Sequence, residues 1–184
     1  MQIRNSSQHY GAVAMALHWL VLALIVVSWL TGEFSDAFPK GPPRDAAIFA
    51  HVTLGLSIIA FAVARLCWRF ADPPPAPEES TLGQWTEWAS QAVHYIIYAL
   101  LFAIPALGIV ALFARGKALS IFGLFEIASP WVADRTFAHN MGEVHEVLVN
   151  VLLILVVLHA AAALVHHYIL KDRTLLRMLP ESRA

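Results

Sequence analysis

The fold is decided by residues 143–168, EVHEVLVNVLLILVVLHAAAALVHHY, a stretch long enough for a helix to cross a bilayer. It nevertheless contains four histidines, and ionisable side chains within a membrane are costly and usually functional. Fourteen residues separate His145 from His159, and seven separate His159 from His166. At about 100° per residue, these intervals return to within about 40° and about 20° of the starting direction. The three imidazoles therefore form one stripe, and the first two lie about 21 Å apart along the helix, which predicts two separate sites.

The composition of the whole chain is that of a membrane protein. Of its 184 residues, 59% are hydrophobic and 14% are charged, whereas soluble domains average about 25% charged residues. Four runs hold the roughly 20 uncharged residues that span a bilayer, and backbone groups in lipid must bond internally, so these runs are helices. We predict an all-α integral membrane protein, a single domain over residues 1–184 with a bundle of four transmembrane helices at about 10–31, 45–68, 82–114 and 137–170.

Charge and cysteine content exclude several classes. The formal net charge is −1, which does not suggest a nucleic-acid partner. Cys67 is the single cysteine, and the chain has no Cys-x-x-Cys-His stretch for covalent haem attachment. Seven Lys and Arg residues lie on the side of the predicted helices that holds both termini, against five on the other side. This bias predicts that both termini are cytoplasmic.

The histidines fall at two depths in the predicted bundle. His51 begins an incoming helix and so lies toward the outside, at the level of His145. His18 begins an outgoing helix and so lies toward the cytoplasm, at the level of His159. Two neutral imidazoles on opposite faces of a macrocycle are what a bis-histidine haem requires. A proton relay and ordinary packing are the alternatives, and the match of four histidines in depth on three helices favours two haems.

The remaining histidines have other expected roles. His94 lies at the inner level, and His166 lies two turns beyond His159 at the inner surface. Both are candidates to line a pocket beside the inner haem. His139 precedes His159 by twenty residues, which rotates it by about 200° to the opposite face. We therefore expect His139 to be a loop or helix-start residue.

Three features together resemble the bacterial cytochrome b561 family, which is related to the cytochrome b subunits of nickel–iron hydrogenases. They are ALHWL at residues 16–20, His51 early in the second helix, and LHAAAALVHHYILKDRTLLRMLP at residues 158–180. The resemblance covers nearly the whole chain. It implies a four-helix membrane protein with two haem b groups, whose axial ligands here are His18, His51, His145 and His159.

The resemblance also implies an activity, the oxidation of superoxide at the outer face and the reduction of ubiquinone near the cytoplasmic face. Arg115 and Lys117, at the end of the third helix, are the candidates to attract the superoxide anion. His94, His166 and Trp19 are the candidates for the quinone site. Two other classes stay open, a haem b subunit that passes electrons between a dehydrogenase or hydrogenase partner and the quinone pool, and a non-haem proton-coupled transporter.

Overall fold

Four long helices make up the protein in the computed structural model, which describes residues 2–76, 78 and 83–180. They are α1 (Ala12–Glu33), α2 (Pro42–Ala71), α3 (Gln84–Ala114) and α4 (Arg135–Val165), and a π-helical turn, His166–Leu170, continues α4. Each of the four is long and apolar enough to cross a membrane. The four-helix membrane architecture predicted from the sequence is confirmed.

Helices α2 and α4 begin earlier than the sequence predicted, each because of a local feature. Helix α2 begins at Pro42 rather than near residue 45, since a proline in the first helical turn sacrifices no hydrogen bond. Helix α4 begins at Arg135 rather than near residue 137, because the Asp134 carboxylate accepts a hydrogen bond from the Phe137 N–H at 3.0 Å. The predicted start of the third helix at Leu82 lies outside the described residues.

A two-stranded antiparallel hairpin lies between α3 and α4, in a segment that the sequence predicted only as the connection between two helices. Strand β1 (Leu119–Ile121) pairs with β2 (Phe125–Ile127). The turn between them has φ values of 53° at Phe122 and 73° at Gly123, the left-handed pair that a type I′ turn requires. We call the end of the bundle with this hairpin and the α1–α2 loop the hairpin end. The opposite end, which holds both ends of the chain, is the termini end.

The buried core lies at mid-depth between the two histidine levels. On α4 it is represented by Leu152, seven residues from both His145 and His159. The other members come from α1, α2 and α3, and they are Val21, Ile25, Ile58, Ala62, Leu100, Leu101 and Ile104. By contrast, large apolar side chains of α4 such as Ile154 and Val157 are 60% and 66% exposed. An apolar core inside an exposed apolar surface is the arrangement expected of a bundle surrounded by lipid.

The helices associate as two pairs, α1 with α2 and α3 with α4. Helices α2 and α3 contact each other over a shorter length, and within the described residues the backbones of α1 and α4 scarcely meet. Side chains from α1 and α2 therefore reach α4 across a space between the two pairs.

Three non-helical segments close the termini end. The N-terminal segment is tied to the connector after α2, because the Asn5 N–H donates to the Asp72 carboxylate at 2.8 Å. The C-terminal segment joins both through Arg177, which is buried and donates to the carbonyl oxygens of Gln8 and Ala76 at 2.8 and 2.9 Å. These bonds cover the end of the bundle at which His18 lies.

Candidate functional site

The hairpin end contains a pair of facing histidines, His51 from α2 and His145 from α4. Their ring centroids lie 6.1 Å apart with the planes at 74°. The His51 Nδ1 atom lies 2.8 Å from the Ser28 carbonyl oxygen of α1, and the His145 Nδ1 atom lies 2.8 Å from the Ile104 carbonyl oxygen of α3. Because a carbonyl only accepts, both Nδ1 atoms carry the proton, and both Nε2 lone pairs remain available to a metal. All four helices thus contribute to this pair.

Two glycines leave room for these rings. A Cβ added to Gly32 of α1 would lie 2.7 Å from the His51 Nδ1 atom, closer than side chains approach one another. A Cβ added to Gly108 of α3 would lie 3.2 Å from the His145 Cε1 atom. The sequence prediction ended the first helix at residue 31 and placed Gly32 in the loop, but Gly32 lies inside α1. The space for these two rings therefore depends on having glycine, which has no Cβ atom, at positions 32 and 108.

Three histidine rings lie close together at the termini end. The ring centroids of His18 (α1) and His159 (α4) lie 6.2 Å apart, and the ring of His94 (α3) lies 5.0 Å from that of His159. The His94 Nδ1 atom donates to the Ser90 carbonyl oxygen at 2.6 Å, which leaves its Nε2 lone pair free. His94 therefore lies beside the inner pair, at the level at which the sequence placed it.

Arg65 of α2 contacts the termini-end pair, a contact that the sequence did not predict. Its Nη2 atom lies 2.9 Å from the His18 Nδ1 atom, and its guanidinium carbon lies 5.4 Å from the centroid of the Tyr98 ring. A guanidinium only donates, so the His18 Nδ1 atom accepts, and neutral His18 carries its proton on Nε2. A charged residue six positions inside a membrane helix was the available signal for this contact.

In each of the two main pairs, the distance between the two rings suits one metal ion bound by both imidazoles. An imidazole nitrogen binds a transition metal at about 2 Å and lies about 1 Å from the centre of its own ring, so two facing ligands put their centroids about 6 Å apart. The separations of 6.1 Å for His51–His145 and 6.2 Å for His18–His159 match this value, whereas 5.0 Å for His94–His159 is shorter. In the described part of the chain, no three His, Cys, Asp or Glu side chains are grouped so that they could bind a metal ion. Axial ligation of a metal held by a macrocycle is the chemistry that fits two such pairs.

Two of the predicted quinone residues already have partners in the termini-end segments. The Trp19 indole N–H donates to the Met178 carbonyl oxygen at 2.9 Å. The His166 Nδ1 atom, in the π-helical turn, lies 2.5 Å from the Asp172 carboxylate. Partial burial would raise the pKa of Asp172, but hydrogen bonds from His166 and Thr174 outweigh it and hold that pKa below its usual range. Sequence reasoning missed Asp172, because its contact with His166 depends on the turn at residues 166–170.

The predicted basic residues lie at the hairpin end. Arg115 follows α3 directly, and a Cβ added to Gly142 of α4 would lie 3.5 Å from its guanidinium, three residues before His145 on the same helix. Lys117 lines a cavity of about 170 Å³ between α2 and β1, opposite Asp45. His139 forms an exposed pair with Glu143 at 3.2 Å. Arg115 is therefore near the hairpin-end pair, Lys117 lies beside the hairpin, and His139 is a surface residue.

Comparison with known proteins identifies relatives over almost the whole chain. The family model for prokaryotic cytochrome b561 matches residues 9–181. A probable superoxide oxidase CybB of Yersinia pestis is 32% identical over 95% of this chain and 97% of its own length. The cytochrome b561 homolog 2 of Escherichia coli is 32% identical over 99% and 97%. A cytochrome b562 of Cereibacter sphaeroides is 27% identical over 92% and 94%.

These matches confirm the family predicted from the three sequence features, and the four membrane-spanning helices are consistent with this family. The chain therefore belongs to the prokaryotic cytochrome b561 family, as a multi-pass membrane oxidoreductase that transfers electrons across the membrane through haem b.

Proposed function

We propose that this protein is a superoxide:ubiquinone oxidoreductase with two haem b groups, one bound by His51 and His145 and the other by His18 and His159. The observation that carries the proposal is the presence of two histidine pairs, each at a ligand-like separation, at opposite ends of a membrane bundle. The hairpin end then faces the outside, and both termini lie in the cytoplasm of a bacterial inner membrane. One chain spans the whole path from one membrane surface to the other.

The overall reaction balances when two protons are taken up from solvent, and it needs no further oxidant or reductant. Two superoxide anions each lose one electron and become dioxygen, and one ubiquinone gains the two electrons and two protons to become ubiquinol. When bound, the haems supply one-electron carriers at the two levels. The protein has to attract an anion at one end, orient the ligand imidazoles, and deliver protons at the other end.

Arg115 and Lys117 supply positive charge at the hairpin end. Superoxide is a small anion, and basic side chains around an entrance raise its local concentration and its rate of encounter. Arg115 is the closer candidate, because its guanidinium lies against Gly142, less than one turn from His145 on α4. The match to a probable superoxide oxidase supports the same substrate.

His94, His166 and Trp19 surround the proposed quinone site at the termini end. His94 has a free Nε2 lone pair beside His159, and Trp19 offers its ring face, since its N–H is bonded to Met178. Asp172 orients His166 and fixes a proton on its Nδ1 atom. With a second proton on Nε2, His166 forms an ion pair with this carboxylate and donates that proton to a reduced quinone oxygen.

A pulse of superoxide tests the function directly. With the purified protein we expect the absorption bands of reduced haem b to appear within the pulse. Added ubiquinone should then reoxidise the haems. Replacing Arg115 and Lys117 by glutamine should slow haem reduction about tenfold at low ionic strength, within the range known for electrostatic steering. Salt screens such charges, so the two rates should converge as ionic strength rises.

Arg135→Gln is the control for this double variant, because it removes a basic residue at the start of α4. It should leave the rate close to that of the unchanged protein. If superoxide fails to reduce the haems while ubiquinol still does, the proposal is wrong, and the protein is better described as a haem b subunit of a larger redox complex.

The proton route has its own test in Asp172→Asn. Positioned proton donors contribute about 10²–10⁴-fold to rates, so we expect ubiquinol formation to fall at least about tenfold while haem reduction by superoxide is unchanged. In the unchanged protein the lowered pKa keeps Asp172 charged down to acidic pH, so its negative charge should be lost only as pH falls through that pKa. Asp36→Asn, at an exposed carboxylate of the hairpin end, is the control. Equal slowing of both half-reactions would count against the role of Asp172.

A further inference from the structure

Arg65 is a cation within a membrane helix, and the described part of the chain offers it no anionic partner. It lies six residues before the end of α2 and is partly buried, and its guanidinium contacts His18 and the Tyr98 ring. Among the residues that the structure describes, no carboxylate lies within salt-bridge distance of it. Arginine inside membrane proteins normally pairs with an acid, a backbone carbonyl or a ligand, because an isolated charge there is costly. The described residues therefore do not supply the counter-charge that the position of Arg65 favours.

The bond from Arg65 to His18 is incompatible with metal binding by His18. In the present arrangement the His18 Nδ1 atom accepts from the guanidinium, and its proton lies on Nε2. A neutral imidazole that binds a metal through Nε2 carries its proton on Nδ1 instead, as His51 and His145 do. That N–H and the guanidinium are both donors, so they cannot bond to each other. When His18 binds the haem iron, Arg65 needs another acceptor.

A second donor without an acceptor lies close by on the same helix. Trp68 follows Arg65 by three residues, so the two side chains are neighbours on the surface of α2. The Trp68 indole nitrogen is buried and has no hydrogen-bond partner among the described residues. Leaving such a donor unpaired is unfavourable, so this region favours an additional acceptor.

We propose that Arg65 binds the carboxylate of the termini-end cofactor, a haem propionate, with the Trp68 N–H as a second donor. The inference rests on the proposed ligation by His18 and His159, since it assigns the charge partner of that same haem. The propionate supplies both the anion that Arg65 lacks and the acceptor that replaces the His18 Nδ1 atom.

The charge has a consequence for electron transfer. A guanidinium paired with the propionate offsets its negative charge close to the iron, which stabilises the reduced form and raises the reduction potential. Without Arg65, the unpaired propionate favours the ferric form, and the potential falls. Arg65 therefore favours the presence of the electron at the termini end, next to the proposed quinone site.

Redox titration of the purified holoprotein tests this assignment. In Arg65→Gln we expect both haems to be retained and the reduction equilibrium of one of them to shift at least tenfold toward the oxidised form, which is about 59 mV for one electron. Arg65→Lys keeps the charge and should shift much less. Arg69→Gln, an exposed arginine one turn further along α2, should leave both potentials unchanged.

Infrared difference spectroscopy identifies the propionate itself. Protein grown with 5-aminolevulinate that carries ¹³C in its carboxyl group contains labelled propionates, so their redox-linked bands are distinguishable from protein carboxylates. We expect one labelled band to shift in Arg65→Gln, and to a smaller extent in Trp68→Phe, but not in Arg69→Gln. If Arg65→Gln changes the potential without moving a labelled band, Arg65 acts on His18 alone and the assignment is wrong.

The two proposals fail in different ways. If His18→Ala retains both haems, the proposed ligation is wrong, whatever Arg65 does. If His18→Ala loses one haem, but neither Arg65→Gln nor Arg65→Lys changes the potentials or the labelled bands, only the Arg65 assignment is wrong. Should Arg65→Gln fail to fold, Arg65→Lys and Trp68→Phe still report band shifts that decide the question.

Discussion

Replacing His51 by alanine should remove one of two haems and leave the other in place. His51 and His145 face each other at the hairpin end, while His18 and His159 face each other at the termini end, with an apolar core between the levels. Because the two pairs share no residue, losing one ligand should empty its own site alone. We therefore expect the molar ratio of haem to protein to fall from about two to about one, as extracted haem would report.

The same variant should abolish electron transfer from superoxide. Without the hairpin-end haem, an electron would have to reach the termini-end level over about 21 Å of helix. Haem reduction by a superoxide pulse should therefore fall by more than about a hundredfold, while chemical reduction of the remaining haem by dithionite persists. Reduced-minus-oxidised spectra taken with both reductants on the same sample measure this difference.

His139→Ala is the matched control, since it removes another histidine from the hairpin end. His139 is exposed and paired with Glu143, so it should be replaceable without loss of haem. Loss of both haems from a folded His51→Ala protein, or retention of both, would contradict the pairing of His51 with His145. Retention of both haems would also remove the main support for two independent sites.

Helical periodicity is what made the histidine pairs predictable from sequence. Rotation and rise along a helix are fixed, so intervals of fourteen and seven residues place His145, His159 and His166 on one face, and Leu152 midway between the first two is buried. Depth then follows from the alternating direction of consecutive helices. This explains why the fold and the levels of the histidines could be predicted without any long-range information.

The contacts that orient these histidines could not be predicted in the same way. The Ser28 carbonyl that fixes His51 is a backbone group, and every residue has one. Trp19 donates to Met178, 159 residues away, and no local pattern encodes that bond. The hairpin at residues 119–127 has only three residues of apolar–polar alternation in each strand, and its turn depends on a left-handed pair that includes Phe122. Such features depend on how close elements approach in space, which the periodicity of one helix does not determine.

Gly32→Ala should weaken binding of the hairpin-end haem, although it replaces neither proposed ligand. The added Cβ would lie 2.7 Å from the His51 Nδ1 atom and 2.8 Å from its Cε1 atom. The ring cannot move aside without breaking its 2.8 Å hydrogen bond to the Ser28 carbonyl. Overpacking of this kind typically costs about 1–3 kcal/mol. Displacing a ligand from its orienting partner typically lowers metal affinity about 10–100-fold.

The expected result is a protein that keeps the termini-end haem and releases the other on dilution or on competition with a haem scavenger. Gly108→Ala should show a milder form of the same loss. Its Cβ would lie 3.2 Å from the His145 Cε1 atom, a separation that a shift of a few tenths of an ångström relieves. The order of haem affinity should therefore be unchanged protein, then Gly108→Ala, then Gly32→Ala. Haem transfer to apomyoglobin, followed by absorption spectroscopy, measures this order.

Gly55→Ala separates the effect of the ring clash from any general effect of glycine in a membrane helix. Its added Cβ meets only the Pro105 Cβ at 4.0 Å, an ordinary contact, and alanine favours helix by about 1 kcal/mol over glycine. We expect Gly55→Ala to retain both haems with unchanged affinity. Equal haem loss from Gly55→Ala and Gly32→Ala would show that backbone flexibility matters rather than space. Unchanged affinity in Gly32→Ala alone would mean that His51 does not need its bond to Ser28 to hold the haem, and the orienting role of that carbonyl would be wrong.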